Sequence, residues 1–336
     1  MKELLSTKDL HIGFNDHRTG LNTLHSNINV VLNEAEFACV LGPNGAGKST
    51  LIKTLTGFLK PIKGSVYINQ LNLTDYNKKI LSKTISIVFT ERLKVPEMTV
   101  LEMVSLGRSP YTDFLGRLKQ TDKQHIFDSI RDLNIEHLKH RYLTTLSDGE
   151  LQKVMIAKAL SQDTPIIVLD EPTAFLDLPS KVDIMQQIRQ LARNRGKGIL
   201  LSTHDLDLAL NMADKIWLLD KGKELTTGTP EDLILNNDFR KFFEKDGVIF
   251  DNERGIFKVN QDNIKTIRLI GQGIEFKWVQ RALTRSGYDT TTIKGNYPKI
   301  EVLSNGKREF LLTHTSGESN QFRTIEDLLS EIKKVL

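Results

Sequence analysis

Eleven residues, Val40 to Thr50, read VLGPNGAGKST. Gly42, Gly47, Lys48 and Ser49 stand at the spacing G-x-x-x-x-G-K-[ST], after an apolar run and before a helical pattern. Glycines at those positions let the backbone wrap close around phosphates, with amide groups and a helix N-terminus facing the anion. On this reading Gly42, Pro43, Asn44, Gly45, Ala46, Gly47, Lys48, Ser49 and Thr50 cradle a nucleotide. Lys48 adds a positive charge on its phosphates, and Ser49 offers a hydroxyl to Mg²⁺. A second stretch, PIIVLDEP (Pro165–Pro172), is an apolar strand that ends in two acids. Asp170 is placed to hold Mg²⁺ directly or through water, and Glu171 to polarise an attacking water.

The elements that must position these residues follow from periodicity. Residues 4 to 40 alternate polar and apolar in short runs and read as strands of a mixed sheet. STLIKTLTGFL carries Leu51, Ile52, Leu55 and Phe58 at helical spacing. From Thr99 to about Ser161 the pattern is helical. The order then becomes strand (PIIVLD), helix (SKVDIMQQIRQLARNRG), strand (GILLSTHD), helix and strand, which indicates a parallel sheet. Composition shifts near Asp246. Beyond it four strand-like runs and two helical ones describe a small α+β appendage with no phosphate or metal motif.

The chain has 336 residues, 39% hydrophobic, with a formal charge of +4, too weak an imbalance to imply a nucleic-acid or other polyanion partner. A single cysteine, Cys39, cannot form an internal disulfide, which fits a reducing compartment. No apolar run approaches the ~20 residues needed to cross a bilayer. The N-terminal residues carry no signal-peptide pattern. The expectation is a cytoplasmic protein that reaches a membrane only by docking onto another chain.

These residues resemble the ATP-binding cassette (ABC) ATPase family. The family's signature LSGGQ corresponds here to LSDGE, Leu146–Glu150; its D-loop to AFLD, ending at Asp177; its switch histidine to His204 in LLSTHD. An aromatic that stacks on adenine corresponds to Phe14 in LHIGF, for which plain core packing is the alternative. The motifs fall in family order over residues 1 to 245. The resemblance implies an α/β P-loop ATPase domain with a mixed-sheet core over 1–245 and a helical subdomain at about 99–163. An accessory α+β domain of unknown role follows at 246–336. It implies two copies that sandwich two ATP molecules, Ser147 and Gly149 of one copy closing over the nucleotide held by the other. Glu171, His204 and Lys48 would be the catalytic set, and His204 would contact the γ-phosphate and orient water. The alternative for His204 is a cap on the next helix.

Three positions depart from the family. Thr90, followed by Glu91, stands where Gln usually ligates Mg²⁺ and senses a permease, so the nucleotide- and metal-sensing role is placed at Thr90. Asp148 stands where glycine is usual and is expected to cap the following helix; Glu150 replaces Gln. Ala35 stands where many relatives have glycine and is expected to alter only a turn.

The segment Val100–Leu118, with GRSPY (Gly107, Arg108, Pro110) within it and Gly116, Arg117 and Leu118 at its end, resembles importers of iron-siderophores, haem and cobalamin. The resemblance therefore implies a peripheral ATPase subunit on the cytoplasmic side of the inner (cell) membrane. It would dock through Glu91–Met98 onto transmembrane permease subunits, served indirectly by an extracytoplasmic substrate-binding protein. The alternatives are an exporter cassette and a soluble ABC ATPase. In the tail, Phe276 and Trp278 are expected to pack on their own sheet, and nothing there supports a ligand.

Overall fold

The structure is a computed structural model that describes residues 2–16, 20–89, 97–243, 248–251, 256–259, 265–304 and 308–335. The chain divides into two compact units, residues 1–243 with 250–256, and residues 244–249 with 257–336.

The first unit begins with β1 (Glu3–Asp16), β2 (Gly20–Ile28), β3 (Val31–Asn33), β4 (Phe37–Leu41), α1 (Lys48–Leu55), β5 (Lys63–Ile68), β6 (Leu71–Asn72), α2 (Lys78–Leu81) and β7 (Ile85–Val88). The helical stretch holds α3 (Val100–Ser105), α4 (Gln120–Asp132) and α5 (Asp148–Ser161). Then come β8 (Ile166–Asp170), α6 (Leu178–Arg195), β9 (Gly198–Thr203), α7 (Leu206–Met212), β10 (Lys215–Leu218), β11 (Thr226–Gly228), α8 (Pro230–Leu235) and α9 (Asp238–Phe243).

Of the strands read over residues 4 to 40, β4 joins the mixed sheet with the later strands, but β1, β2 and β3 do not. β2, β1, β5 and β6 form an antiparallel sheet to which β3 adds through β1. A separate six-stranded sheet runs β11-β10-β4-β9-β8-β7, parallel except for β11. Sequence explains the split. β4 and β8 are buried at all five positions, as a strand covered on both faces must be. Successive β4 residues feed two cores: Phe37, Cys39 and Leu41 face the α6, α7 and α5 side. Ala38 and Val40 face α1 and the antiparallel sheet, with Leu5, Leu51 and Trp217. Cys39 is wholly buried, and burial, with Asp214 adding to it, pushes its thiol well above the usual range. No helix is long and apolar enough to cross a membrane, among the described residues.

β12 (Val248–Asp251) and β13 (Ile256–Val259) pair with each other. The second unit continues with β14 (Lys265–Ile270), α10 (Gly273–Arg285), β15 (Tyr288–Thr291), β16 (Lys299–Ser304), β17 (Arg308–Thr313), β18 (Ser319–Phe322) and α11 (Ile325–Val335). Its sheet runs β15-β14-β16-β17-β18. Ile267, Leu269, Ile300, Val302, Phe310 and Leu312 pack under Val279 and Leu283 of α10 and Leu328 and Ile332 of α11. Phe276 joins that core as expected, but Trp278 does not: it is 54% exposed.

Candidate functional site

Strand β4 delivers the glycine-rich loop and α1 leaves it. Gly47 caps α1 at φ 99°, a left-handed conformation that a side chain would disfavour, and gives the helix no side-chain cap. The first amide groups of α1 are therefore left for a ligand. Lys48 is buried; its Nζ donates to the carbonyls of Gly42 (2.8 Å) and Pro43 (3.3 Å), folding back over the loop. Asn44, Gly45 and Ser49 are exposed, Ala46 is buried, and Pro43 and Thr50 are half-buried.

Strand β8 delivers the acids. Asp170 is buried and accepts a 2.6 Å bond from Ser202 Oγ of β9. Glu171 follows at φ 47°, a sparsely populated region for a side-chain-bearing residue, held by its amide against Ser202 O (3.1 Å) and Oγ (2.9 Å). This turn aims the Glu171 carboxylate at the loop. Its Oε1 lies 3.5 Å from Lys48 Nζ, and its Oε2 lies 3.6 Å from His204 Nδ1. The three residues assigned catalytic roles from sequence thus meet at one carboxylate. His204 caps nothing: Asp205 is the cap of α7 and also pairs with Lys181 at 3.2 Å.

One residue here carried no sequence signal. His25 of β2 is buried, and its Nε2 donates to the Ala46 carbonyl at 2.6 Å. Its Nδ1 is buried without a partner among the described residues. The hairpin of β1 and β2 therefore grips the loop directly. The same hairpin carries Phe14, 45% exposed, opposite Asn22, so core packing does not account for this aromatic.

Ser147, Gly149 and Asp177 form a second group. Ser147 caps α5 in a reciprocal box: its Oγ accepts from the Glu150 amide (3.3 Å), and its amide and hydroxyl donate to Glu150 Oε2 at 2.8 and 2.9 Å. The expected cap at Asp148 is thus corrected: Asp148 is the first residue of α5, exposed, and the cap precedes it. Those bonds from Ser147, with Arg141 nearby, hold the Glu150 carboxyl below the usual carboxylate range. Asp177 caps α6 by accepting from the Ser180 amide at 3.1 Å, and bonding from the Ser180 side chain, then from that amide, holds its carboxyl below the usual range. A Cβ on Gly149 would stand 3.2 Å from Ser180 Oγ, so the signature and the cap of α6 are in contact. Thr90, and Glu91–Pro96 of the expected docking segment, lie outside the described residues. Among those described, no cluster of three or more His, Cys, Asp or Glu is arranged to hold a metal.

A family profile described as ABC transporter matches residues 25–174. An ABC transporter ATP-binding protein of Methanocaldococcus jannaschii is 36% identical over 291 residues, covering 85% of this chain and 98% of that protein. The chain belongs to the ABC transporter ATP-binding family. Members of this family bind and hydrolyse ATP. The iron(3+)-hydroxamate import ATP-binding protein of Bacillus subtilis is 31% identical over 250 residues, 74% of this cassette chain and 91% of its own. A second profile, the iron ABC transporter C-terminal domain, matches residues 264–333. Among solved structures, a chain of a transporter described as metal-chelate type, in an inward-facing conformation, superposes with a TM-score of 0.61. It is 28% identical and covers 72% of this chain and 89% of its own. A bacterial ABC transporter cassette solved as a dimer gives 0.58 at 26% identity, covering 68% and 99%.

Within the cassette, the GRSPY segment has a packing task. Arg108 is buried; its guanidinium meets Asp122 of α4 at 2.8 and 2.9 Å, donates to Ser161 O at 2.8 Å and lies 3.9 Å from the Tyr111 ring centroid. Burial alone would raise the Asp122 carboxyl. The Lys119 amide and Arg108 outweigh it and hold it below the usual range. A Cβ on Gly107 would stand 2.2 Å from Lys158 O and from Ser161 Oγ, so only glycine fits against α5. Gly107 and Arg108 thus tie α3, α4 and α5 together.

Proposed function

We propose that this chain is the ATP-hydrolysing subunit of an importer for an iron-siderophore or a related metal chelate such as haem or cobalamin. The observation that carries the chemistry is the meeting of Lys48, Glu171 and His204 beside the loop. Gly42 to Thr50 hold the phosphates of ATP, with Lys48 exchanging its loop carbonyls for them. Glu171 accepts the proton of the attacking water, and His204 on its other oxygen orients that water and meets the γ-phosphate. Ser49 and Asp170 would hold Mg²⁺, which supplies charge neutralisation at the phosphates. One exposed hydroxyl and one carboxylate suit an ion that takes few protein oxygens and otherwise phosphates and water. Thr90 serves as the metal and nucleotide sensor, and Phe14 stacks on the base.

Ser147 and Gly149, with Asp177, act on a nucleotide held by a second copy. Gly149 and the Asp177-capped start of α6 are in contact with each other, and a related cassette is solved as a dimer. The pair docks on a transmembrane permease at the cytoplasmic face of the cell membrane, and a substrate-binding protein outside selects the cargo. The cargo class rests on the iron(3+)-hydroxamate import relative and on the iron-type C-terminal profile.

The test is affinity purification of the tagged chain from gently solubilised membranes. It is paired with uptake of a labelled ferric chelate in cells lacking the chain. Recovery of a polytopic permease and loss of uptake are expected. Recovery with ribosomes or no partner, or unchanged uptake, would overturn the reading in favour of a soluble ABC ATPase or an exporter.

A further inference from the structure

The second unit holds a cavity of about 450 Å³ between the start of α10, the start of α11 and β17. That lies within the range of about 300–1,000 Å³ typical of small-molecule sites. Phe310, wholly buried in the core beneath, also lines it, and Ile274, Trp278 and Ile325 complete the apolar part. Ile274 and Trp278 are largely exposed although α10 has a sheet to pack against, so they are spent on the cavity and not on the core. The Arg281 guanidinium lies 5.1 Å from the Trp278 ring centroid.

Two charges of opposite sign line the same space, Glu275 and Arg323. Among the described residues neither forms an ion pair, with the other or with any third group. The remaining polar lining group, Thr324, donates its hydroxyl to Asp327 at 2.6 Å and is committed to capping α11. An apolar cavity with one free carboxylate and one free guanidinium is complementary to a molecule carrying an ammonium, a carboxylate and an apolar body. A guanidinium binds carboxylate through two parallel bonds, which favours a carboxylate over a diffuse anion.

We propose that this cavity binds a free α-amino acid with an apolar side chain, as its zwitterion. The carboxylate goes to Arg323, the ammonium to Glu275, and the side chain against Trp278, Ile274 and Ile325 above Phe310. The site lies wholly in the second unit and owes nothing to the nucleotide-binding residues.

The chain has two tryptophans, Trp217 buried in the first unit and Trp278 in this cavity, so intrinsic fluorescence reports the site. The full chain is titrated with L-phenylalanine and L-leucine. Alongside are L-serine, 3-phenylpropionate (no ammonium) and phenethylamine (no carboxylate). Saturable binding of the two apolar amino acids is expected, with a Kd of about 1 mM or tighter. The three controls and the variants Glu275→Gln and Arg323→Gln should each bind about tenfold more weakly. Both substituted side chains carry no ion pair, so unchanged melting temperatures are expected and keep the comparison clean. Absence of saturable binding by either amino acid would overturn the proposal. So would 3-phenylpropionate binding as tightly as phenylalanine with Glu275→Gln strengthening it, which would mark a plain anion site. Calorimetry on Trp278→Phe checks the assignment of the signal. No readout involves ATP, so failure here leaves the proposed function untouched.

Discussion

Lys48 Nζ lies 3.5 Å from Glu171 Oε1, so the cation proposed to meet phosphate and the base proposed to activate water neutralise each other in this conformation. A nucleotide must draw the lysine away from both the carboxylate and the loop carbonyls, which frees the base as it fills the loop. Glu171→Gln removes the competing charge and the proton acceptor together. ATP should bind as tightly as before or tighter. Turnover should fall by about 10²-fold or more. Equilibrium nucleotide binding and single-turnover hydrolysis, measured on the same preparation, check the two halves separately.

His25 holds the loop from a strand, through the Ala46 carbonyl. His25→Leu leaves the Ala46 carbonyl without its donor, a loss of about 1–3 kcal/mol for a buried group. The expected result is a KM for ATP raised about tenfold with kcat changed far less. His25→Gln keeps a donor and should recover most of the affinity. Equal loss in both variants, with a parallel fall in melting temperature, would point to packing alone.

Glu150 closes the box on Ser147 with its carboxylate, an acceptor role that the family's Gln would also fill. Glu150→Ala should cost about 1 kcal/mol at pH 7, and Glu150→Gln, which still accepts, less. The folded carboxyl is lowered, so its contribution is complete above the ordinary glutamate value near about 4.3 and fades as pH falls below it. Urea unfolding at pH 7 and at pH 4 and below should therefore show the gap between wild type and Glu150→Ala closing on the acid side.

Ala35 sits at φ 58°, in the left-handed region. That conformation costs a side-chain-bearing residue about 1–2 kcal/mol. Glycine gives back about 0.5–1 kcal/mol through its freer unfolded chain. Ala35→Gly should stabilise the chain by about 0.5–1 kcal/mol, read as a higher urea midpoint with an unchanged slope.

The loop and the acid pair were legible because their chemistry demands fixed residue types at fixed spacing, β4 because five apolar residues in a row admit little else, and β8 because four apolar residues run straight into the acids. The division of the N-terminal strands into their own antiparallel sheet was not legible. Alternation reports that a strand has two unlike faces and is silent about its neighbours. Tyr288–Thr291 and Ser319–Phe322 carry no apolar signal because they are polar edge strands, the first half-buried and the second mostly exposed. His25 had no pattern to belong to; its partner is a carbonyl 21 residues away. Arg108 was noticed for kinship, and the fold shows it at work inside the helical stretch instead.

The buried thiol has a practical consequence. Cys39 is enclosed, its thiol held protonated far above neutral pH. As the sole cysteine of the chain, it leaves the native sequence ready as a background for thiol labelling. A cysteine introduced at an exposed position such as Phe114 in one variant, or Leu178 in another, would take a spin label or dye alone. Distances between the copies of the proposed dimer could then be followed with and without ATP, without first rebuilding the core.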